Sequence, residues 1–264
     1  MAARRRLDAE LVRRGLASGR DAARRLIDDG AVLVNGSPAA KPASQVDPAD
    51  AIVLASEPER YVGRGGTKLE AAIEAFAIEV AGRRCIDVGA STGGFTDCLL
   101  QHGAAAVIAV DVGTAQLHER LRSDERVTSL EKRDVRGFDP GPWGGPAPIV
   151  VCDVSFISLR TVFGALSGLV DGAGDLVTLV KPQFEVGKAA VSRGRGVITE
   201  PGLWREALDG VVAEAARNGF GVRGAIRSPV TGGAGNVEFL VCFRRGEPAR
   251  GCDIADLCHS DAIA

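Results

Sequence analysis

The sequence predicts an α/β protein, an open and mostly parallel sheet with helices on its faces, preceded by a small α+β module. Three observations carry this. Short apolar runs at Cys85–Val88, Ala106–Val110, Val127–Leu130, Ile149–Cys152 and Leu176–Val180 alternate with segments of helical period, the pattern of parallel strands joined by crossover helices. The first run opens the stretch from Arg84 to Leu100, which reads as a strand, a glycine turn and a helix. The first 25 residues carry eight arginines against Asp8, Glu10 and Asp21, a net of +5 in a chain whose total is -2. That end is a basic patch on a nearly neutral protein.

The module in front spans residues 1–56. Leu7, Leu11, Val12 and Leu16 share one helical face, and Ala22, Ala23, Leu26 and Ile27 share a second that stops at Gly30. Val32–Val34 and Ile52–Leu54 read as strands, with Asn35-Gly36 as a tight turn. Residues 57–63 are polar, contain Pro58 and read as a linker. The main domain occupies 64–246, and 247–264 is a tail about which the sequence says little.

The main domain begins with Arg64-Gly-Gly-Thr-Lys68 and a helix whose apolar positions include Leu69, Ile73 and Phe76. A lysine at a helix start opposes the macrodipole, so Lys68 asks for a reason. After the strand ending in Val110 comes Asp111, then a helix around Leu117–Leu121, the strand Val127–Leu130 and Asp134. The Gly/Pro-rich segment 138–148 is a long loop. Ile149–Cys152 ends in Asp153, with a helix following to about Val170. Leu176–Val180 ends at Lys181-Pro182, because Pro182 cannot donate to a sheet ladder. A helix over 201–218 and a last strand over Val237–Phe243 complete the domain.

At 264 residues and 45% hydrophobic, the chain holds one full α/β domain plus a small module, with the composition of a soluble globular protein. Its six cysteines are scattered with no C-x-x-C pair, and three lie in apolar strand runs. Reduced thiols in the cytoplasm are expected, with no disulfide framework or zinc site. Cys252, Cys258 and His259 in the tail are not read as a metal site. No run of about 18 apolar residues and no signal peptide are present, so no membrane partner is expected.

The turn has the spacing Asp87-x-Gly89-x-x-x-Gly93, neither the dinucleotide pattern nor a P-loop. It resembles the first motif of S-adenosylmethionine-dependent methyltransferases. Asp111 stands about 20 residues beyond the turn, where nucleotide-binding folds place a carboxylate for a ribose. In the front module, Gly30-Ala-Val-Leu-Val-Asn-Gly36 after a helix pair resembles the S4 RNA-binding domain. Arg6, Arg13, Arg20, Arg24 and Lys41 are its candidate RNA contacts. The alternative is a solvated arginine-rich helical face.

In open α/β sheets ligands bind outside the carboxyl ends of the strands, and Asp153 and Lys181 sit at such ends. Lys68, Asp153, Lys181 and Glu238 occur in the order of the K-D-K-E tetrad of FtsJ-like RNA 2'-O-methyltransferases. Arg64-Gly-Gly-Thr-Lys68, Asp153-Val-Ser-Phe-Ile-Ser-Leu159, Val180-Lys-Pro-Gln-Phe-Glu185 and Gly235-Asn-Val-Glu238 resemble the TlyA family.

That resemblance implies a Rossmann-like class I methyltransferase sheet whose last strand is inserted antiparallel beside the fifth, bringing Glu238 to the active edge. It implies S-adenosyl-L-methionine as cofactor and 2'-O-methylation of a cytidine in the RNA of assembled ribosomal subunits, with no obligate protein partner. Lys181 is the expected base, its pKa lowered by burial and by the Lys68 ammonium, while Asp153 and Glu238 orient the lysines. Gly89, Ser91, Thr92 and Gly93 are expected at the methionine part, Asp111 at the ribose hydroxyls and Asp134 at the adenine. Asp87 either joins them or holds the turn. Phe156 suits either stacking on a base or apolar packing.

The leaving group is a neutral thioether, so no metal is expected. Ser155 and Ser158 lack a G-x-S-x-G elbow, and His102, His118 and His259 lie outside the motifs, which argues against a hydrolase. Two rival readings are an inactive RNA-binding protein and a membrane-active haemolysin.

Overall fold

Two amphipathic helices and short β-branched runs build the first unit of the protein. The computed structural model describes residues 4–28, 30–39, 41–54, 60–247 and 257–258, and the chain divides into compact units at 1–60 and 61–264. In the first, α1 (Leu7–Arg13) and α2 (Arg20–Asp28) bury Leu7, Leu11, Ala23 and Ile27 against Val32, Val46 and Ile52. Strand β2 (Val32–Val34) pairs antiparallel with β3 (Ser37–Pro38) and β5 (Ile52–Leu54). Its turn has φ 52° at Asn35 and 82° at Gly36, the two positive values a tight hairpin requires. A further pair, β1 (Arg5–Arg6) with β4 (Gln45–Val46), goes beyond the expected strands, because two-residue strands carry no readable period.

Of the expected linker, residues 57–59 lie outside the described residues. Tyr61 is buried and packs with Leu69 and Phe95, so it belongs to the second unit. That unit contains β6 (Arg84–Val88), β7 (Ala106–Val110), β8 (Val127–Leu130), β9 (Ala147–Cys152), β10 (Val170–Val180), β11 (Phe220–Arg227) and β12 (Phe239–Arg245). They form one sheet in the order β8-β7-β6-β9-β10-β12-β11. Strands β6 to β10 are mutually parallel, and β12 runs antiparallel to both β10 and β11.

Alternation along the strands feeds two cores. Cys85, Val151 and Val177 face α3 (Gly65–Ala75) and α4 (Gly94–Gln101), while Ile86 and Val150 face α6 (Leu159–Leu169) and α9 (Pro201–Arg217). Short helices α5 (Glu119–Arg122), α7 (Pro182–Glu185) and α8 (Lys188–Arg193) occupy connections between strands. Strand β11 escapes the sequence reading because Gly221, Arg223 and Gly224 interrupt its apolar run, and its register slips between Val222 and Gly224. In the tail, Leu257 and Cys258 pack onto the α6/α9 core, whereas Cys252 and His259 lie outside the described residues. Cys85, Cys98, Cys152, Cys242 and Cys258 are buried. Among the described residues no cluster of His, Cys, Asp and Glu fits a metal ion.

Candidate active site

The carboxyl ends of β6, β7, β9 and β10 open onto two adjoining hollows of about 440 and about 170 Å³. Both are lined by Gly89, Ser91, Asp153 and Ser155. Gly89 is required here, since its φ is 81° and a Cβ would lie 2.4 Å from the Asp153 carbonyl oxygen. Ser91, also at positive φ (47°), gives its N–H to the Asp111 carboxylate at 2.8 Å. The other Asp111 oxygen accepts from the Gly113 N–H at 2.6 Å, so this carboxylate is fixed at the rim of the larger hollow. Thr92 lines the smaller hollow.

The remaining expected cofactor residues have different surroundings. Gly93 caps α4 at φ 99°, and a Cβ there would lie 2.3 Å from Leu121, so its small size serves helix packing; Gly94 lines the hollow instead. Asp134 lines the larger hollow, where Arg136 grips it with a closest approach of 2.5 Å and holds its carboxyl down to about 2.

Asp87 is fully buried and lines neither hollow. It accepts a 2.6 Å hydrogen bond from the Thr96 hydroxyl, tying β6 to α4. Its Oδ1 has no hydrogen-bond partner. Burial pushes its carboxyl from 3.8 up to about 7; the Thr96 bond opposes this and the nearby Asp153 charge adds to it. The folded chain therefore holds this proton more tightly than the unfolded chain. The stabilisation is full below 3.8 and is lost as pH rises through about 7. Asp87→Asn is expected to flatten the decline of thermal stability over that window, as measured by melting temperature against pH.

The four expected tetrad residues form two ion pairs. Lys68, in the first turn of α3, is 7% exposed and pairs with the carboxylate of Glu238, 3% exposed, just ahead of β12. This answers the oddity of a lysine at a helix start. Lys181 Nζ lies 2.5 Å from Asp153 Oδ1 and donates to the Ser155 hydroxyl at 2.8 Å. Val180 pairs with Phe239, so Lys181 and Glu238, the next residue on each strand, leave the sheet side by side.

Two residues with a part here are missed by sequence reasoning. Ser155 reads there only as a possible nucleophile. Glu185, 5% exposed, accepts from the Ser158 hydroxyl at 2.6 Å and the Leu159 N–H at 2.7 Å, fastening the segment after Asp153 to the segment after Lys181. Its place inside the Lys181-Pro-Gln-Phe-Glu185 motif is the available signal. Phe156 is 92% exposed at φ 65°, its ring 5.3 Å from that of Phe184, so core packing is not its role.

In the first unit, Arg6, Arg13, Arg20, Arg24 and Lys41 are all exposed. They are not a free positive field, however. Buried Asp8 binds Arg6 at 2.8 Å and buried Glu10 binds Arg13 at 2.6 Å and Arg14 at 2.8 Å, with Arg24 at 3.9 Å from Asp8.

Residues 61–245 match the family of FtsJ-like methyltransferases, and residues 5–52 match the S4 domain. The chain is 50% identical over 245 residues to the 16S/23S rRNA (cytidine-2'-O)-methyltransferase TlyA of Mycobacterium tuberculosis, covering 92% of this chain and 91% of that one. It is 38% identical to Hemolysin A of Brachyspira hyodysenteriae, covering 90% of this chain and 99% of the relative. Among solved structures, a Streptococcus thermophilus protein described as a hemolysin matches with a TM-score of 0.74 and 38% identity, over 98% of this chain and 95% of that one. The chain therefore belongs to the TlyA family, in which an S4 domain is joined to an FtsJ-like methyltransferase.

Proposed function

We propose that the protein transfers a methyl group from S-adenosyl-L-methionine to the ribose 2'-hydroxyl of a cytidine in ribosomal RNA, with Lys68, Asp153, Lys181 and Glu238 as the reacting tetrad. The observation that carries this is the Lys181 amine, held by Asp153 and Ser155 on the wall of the glycine-lined hollow. Cytidine and ribosomal RNA come from the name of the M. tuberculosis relative.

The hollow fits the cofactor on its own terms. Gly89, where a side chain would collide with the Asp153 carbonyl, lets the ends of β6 and β9 meet on the hollow wall, and the Asp111 carboxylate stands at the rim, where a ribose diol would meet it. Ser91, Thr92 and Gly94 would hold the methionine part, and exposed Val112 offers an apolar face in the same hollow as Asp134. When bound, S-adenosyl-L-methionine supplies a methyl on a sulfonium whose C–S electron pair stays on a neutral thioether. Lys181, as the neutral amine, takes the proton of the 2'-hydroxyl as its oxygen bonds to the methyl carbon. The positive charge thus ends on the Lys181 ammonium, where Asp153 balances it.

Phe156 is read as the platform for a base beside the ribose, its ring turned outward by a left-handed backbone. Stacking of this kind contributes about 1–3 kcal/mol per base. Phe156→Ala is expected to lower kcat/KM for RNA by about 5- to 150-fold, with S-adenosyl-L-homocysteine binding unchanged by calorimetry.

The S4 domain would supply phosphate contacts. Replacing Arg20 and Arg24 by alanine is expected to weaken binding to ribosomal RNA and to reduce the salt slope by about 0.9 for each duplex phosphate left unneutralised. Filter binding from low to high salt measures it. Action in the cytoplasm on assembled subunits is part of this proposal. The haemolysin reading is not favoured by any observation of the site; among the described residues no helix is long and apolar enough to cross a membrane.

The test is to incubate the purified protein with labelled S-adenosyl-L-methionine and ribosomal subunits from cells lacking the gene, then to map ribose methylation. Label on a base, or none on either subunit, would overturn the proposal.

A further inference from the structure

The Lys181 amine has two neighbours of unequal geometry. Asp153 Oδ1 is the nearer at 2.5 Å, yet it forms no aligned hydrogen bond; the directed bond from Nζ goes to the Ser155 hydroxyl at 2.8 Å. Distance sets the strength of the charge interaction, whereas alignment sets which way the amine points. We propose that Ser155 is a positioning residue for methyl transfer, orienting the Lys181 amine so that its lone pair faces the hollow. This inference rests on Lys181 being the base.

Ser155 itself is held in place. The Asp153 N–H donates to the Val88 carbonyl at 2.9 Å, and three residues beyond Ser155 the Ser158 hydroxyl and Leu159 N–H are anchored by buried Glu185. Between these anchors Phe156 keeps a left-handed backbone, φ 65°. Ser155 lines both hollows, which puts its hydroxyl on the wall that cofactor and substrate would share.

The chemistry follows from donor counting. An ammonium has three N–H donors and no lone pair, while the neutral amine has two donors and one lone pair. With one N–H directed to Ser155 and another toward Asp153, the third position of the neutral amine is the lone pair, aimed at the remaining open direction. Loss of the hydroxyl frees the amine to rotate about its terminal bond, so the lone pair points at substrate in only a fraction of molecules.

Ser155→Ala is therefore expected to lower kcat on the order of tenfold to a hundredfold. KM and the calorimetric affinity for S-adenosyl-L-homocysteine should stay unchanged. Ser155→Thr, which keeps the hydroxyl, should recover the rate. An alanine variant with wild-type kcat would overturn the inference. So would a loss that appears in KM and not in kcat, or one that threonine fails to restore. These outcomes leave the reading of Lys181 standing, because that is tested separately by Lys181→Ala. If the wild-type protein methylates no ribosomal RNA, that reading fails first and the role of Ser155 goes with it.

Discussion

Lys181→Ala is expected to abolish labelling of ribosomal RNA, a loss on the order of 10²–10⁴-fold in single-turnover rate, while leaving cofactor binding intact. The amine is the one group on the hollow wall suited to accept a proton: Arg64 stays charged, and Asp153 is engaged by Lys181. Cofactor affinity should survive because the groups proposed to hold it are other residues: Asp111 and Asp134 in the larger hollow, which does not include Lys181, and Ser91, Thr92 and Gly94 for the methionine part. The fold should survive as well, since the side chain of Asp153 keeps 23% exposure and can be rehydrated. Lys181→Arg provides the sharper test. Arginine restores the positive charge beside Asp153 but does not deprotonate in proteins, so it is expected to be as inactive as alanine. An active arginine variant would mean that charge, and not proton acceptance, is what position 181 supplies.

Lys68→Met is expected to remove activity and to destabilise the protein by about 3–5 kcal/mol, measured by urea unfolding. Glu238 is 3% exposed, and without the ammonium its carboxylate is left buried and unpaired. Combining Lys68→Met with Glu238→Leu removes both charges together. Replacing a buried pair by apolar groups of similar volume is often neutral, so the double variant should recover most of the stability. It should recover none of the activity. Stability and catalysis would then part company, as they should if the pair is kept for its chemistry. A double variant as unstable as the single one would mean that this corner of the fold depends on the ion pair for its packing.

Strand runs such as Ala106–Val110 and the helix over 201–217 are legible in the amino-acid order because periodicity is a local property. Strand β11 is not, since two glycines and an arginine erase its alternation and only its neighbour β12 makes it a strand. Asp87 and Gly93 stand out as special, but their partners, Thr96 in one case and Leu121 in the other, depend on how α4 and α5 pack. The arginine patch is visible as charge; the buried acids that bind part of it, Asp8 and Glu10, look in sequence like any other helical carboxylates.

Residue order was enough to set out most of the succession of elements and the glycine turn and, through resemblance, the S4-like front module and the four side chains proposed as the tetrad. Which of them meet is a matter of three-dimensional packing: Lys68 with Glu238, 170 positions apart, and Lys181 with Asp153 and Ser155. Helix and strand preferences are settled within a few residues, whereas an ion pair depends on the register of β12 against β10 and on burial produced by both cores together.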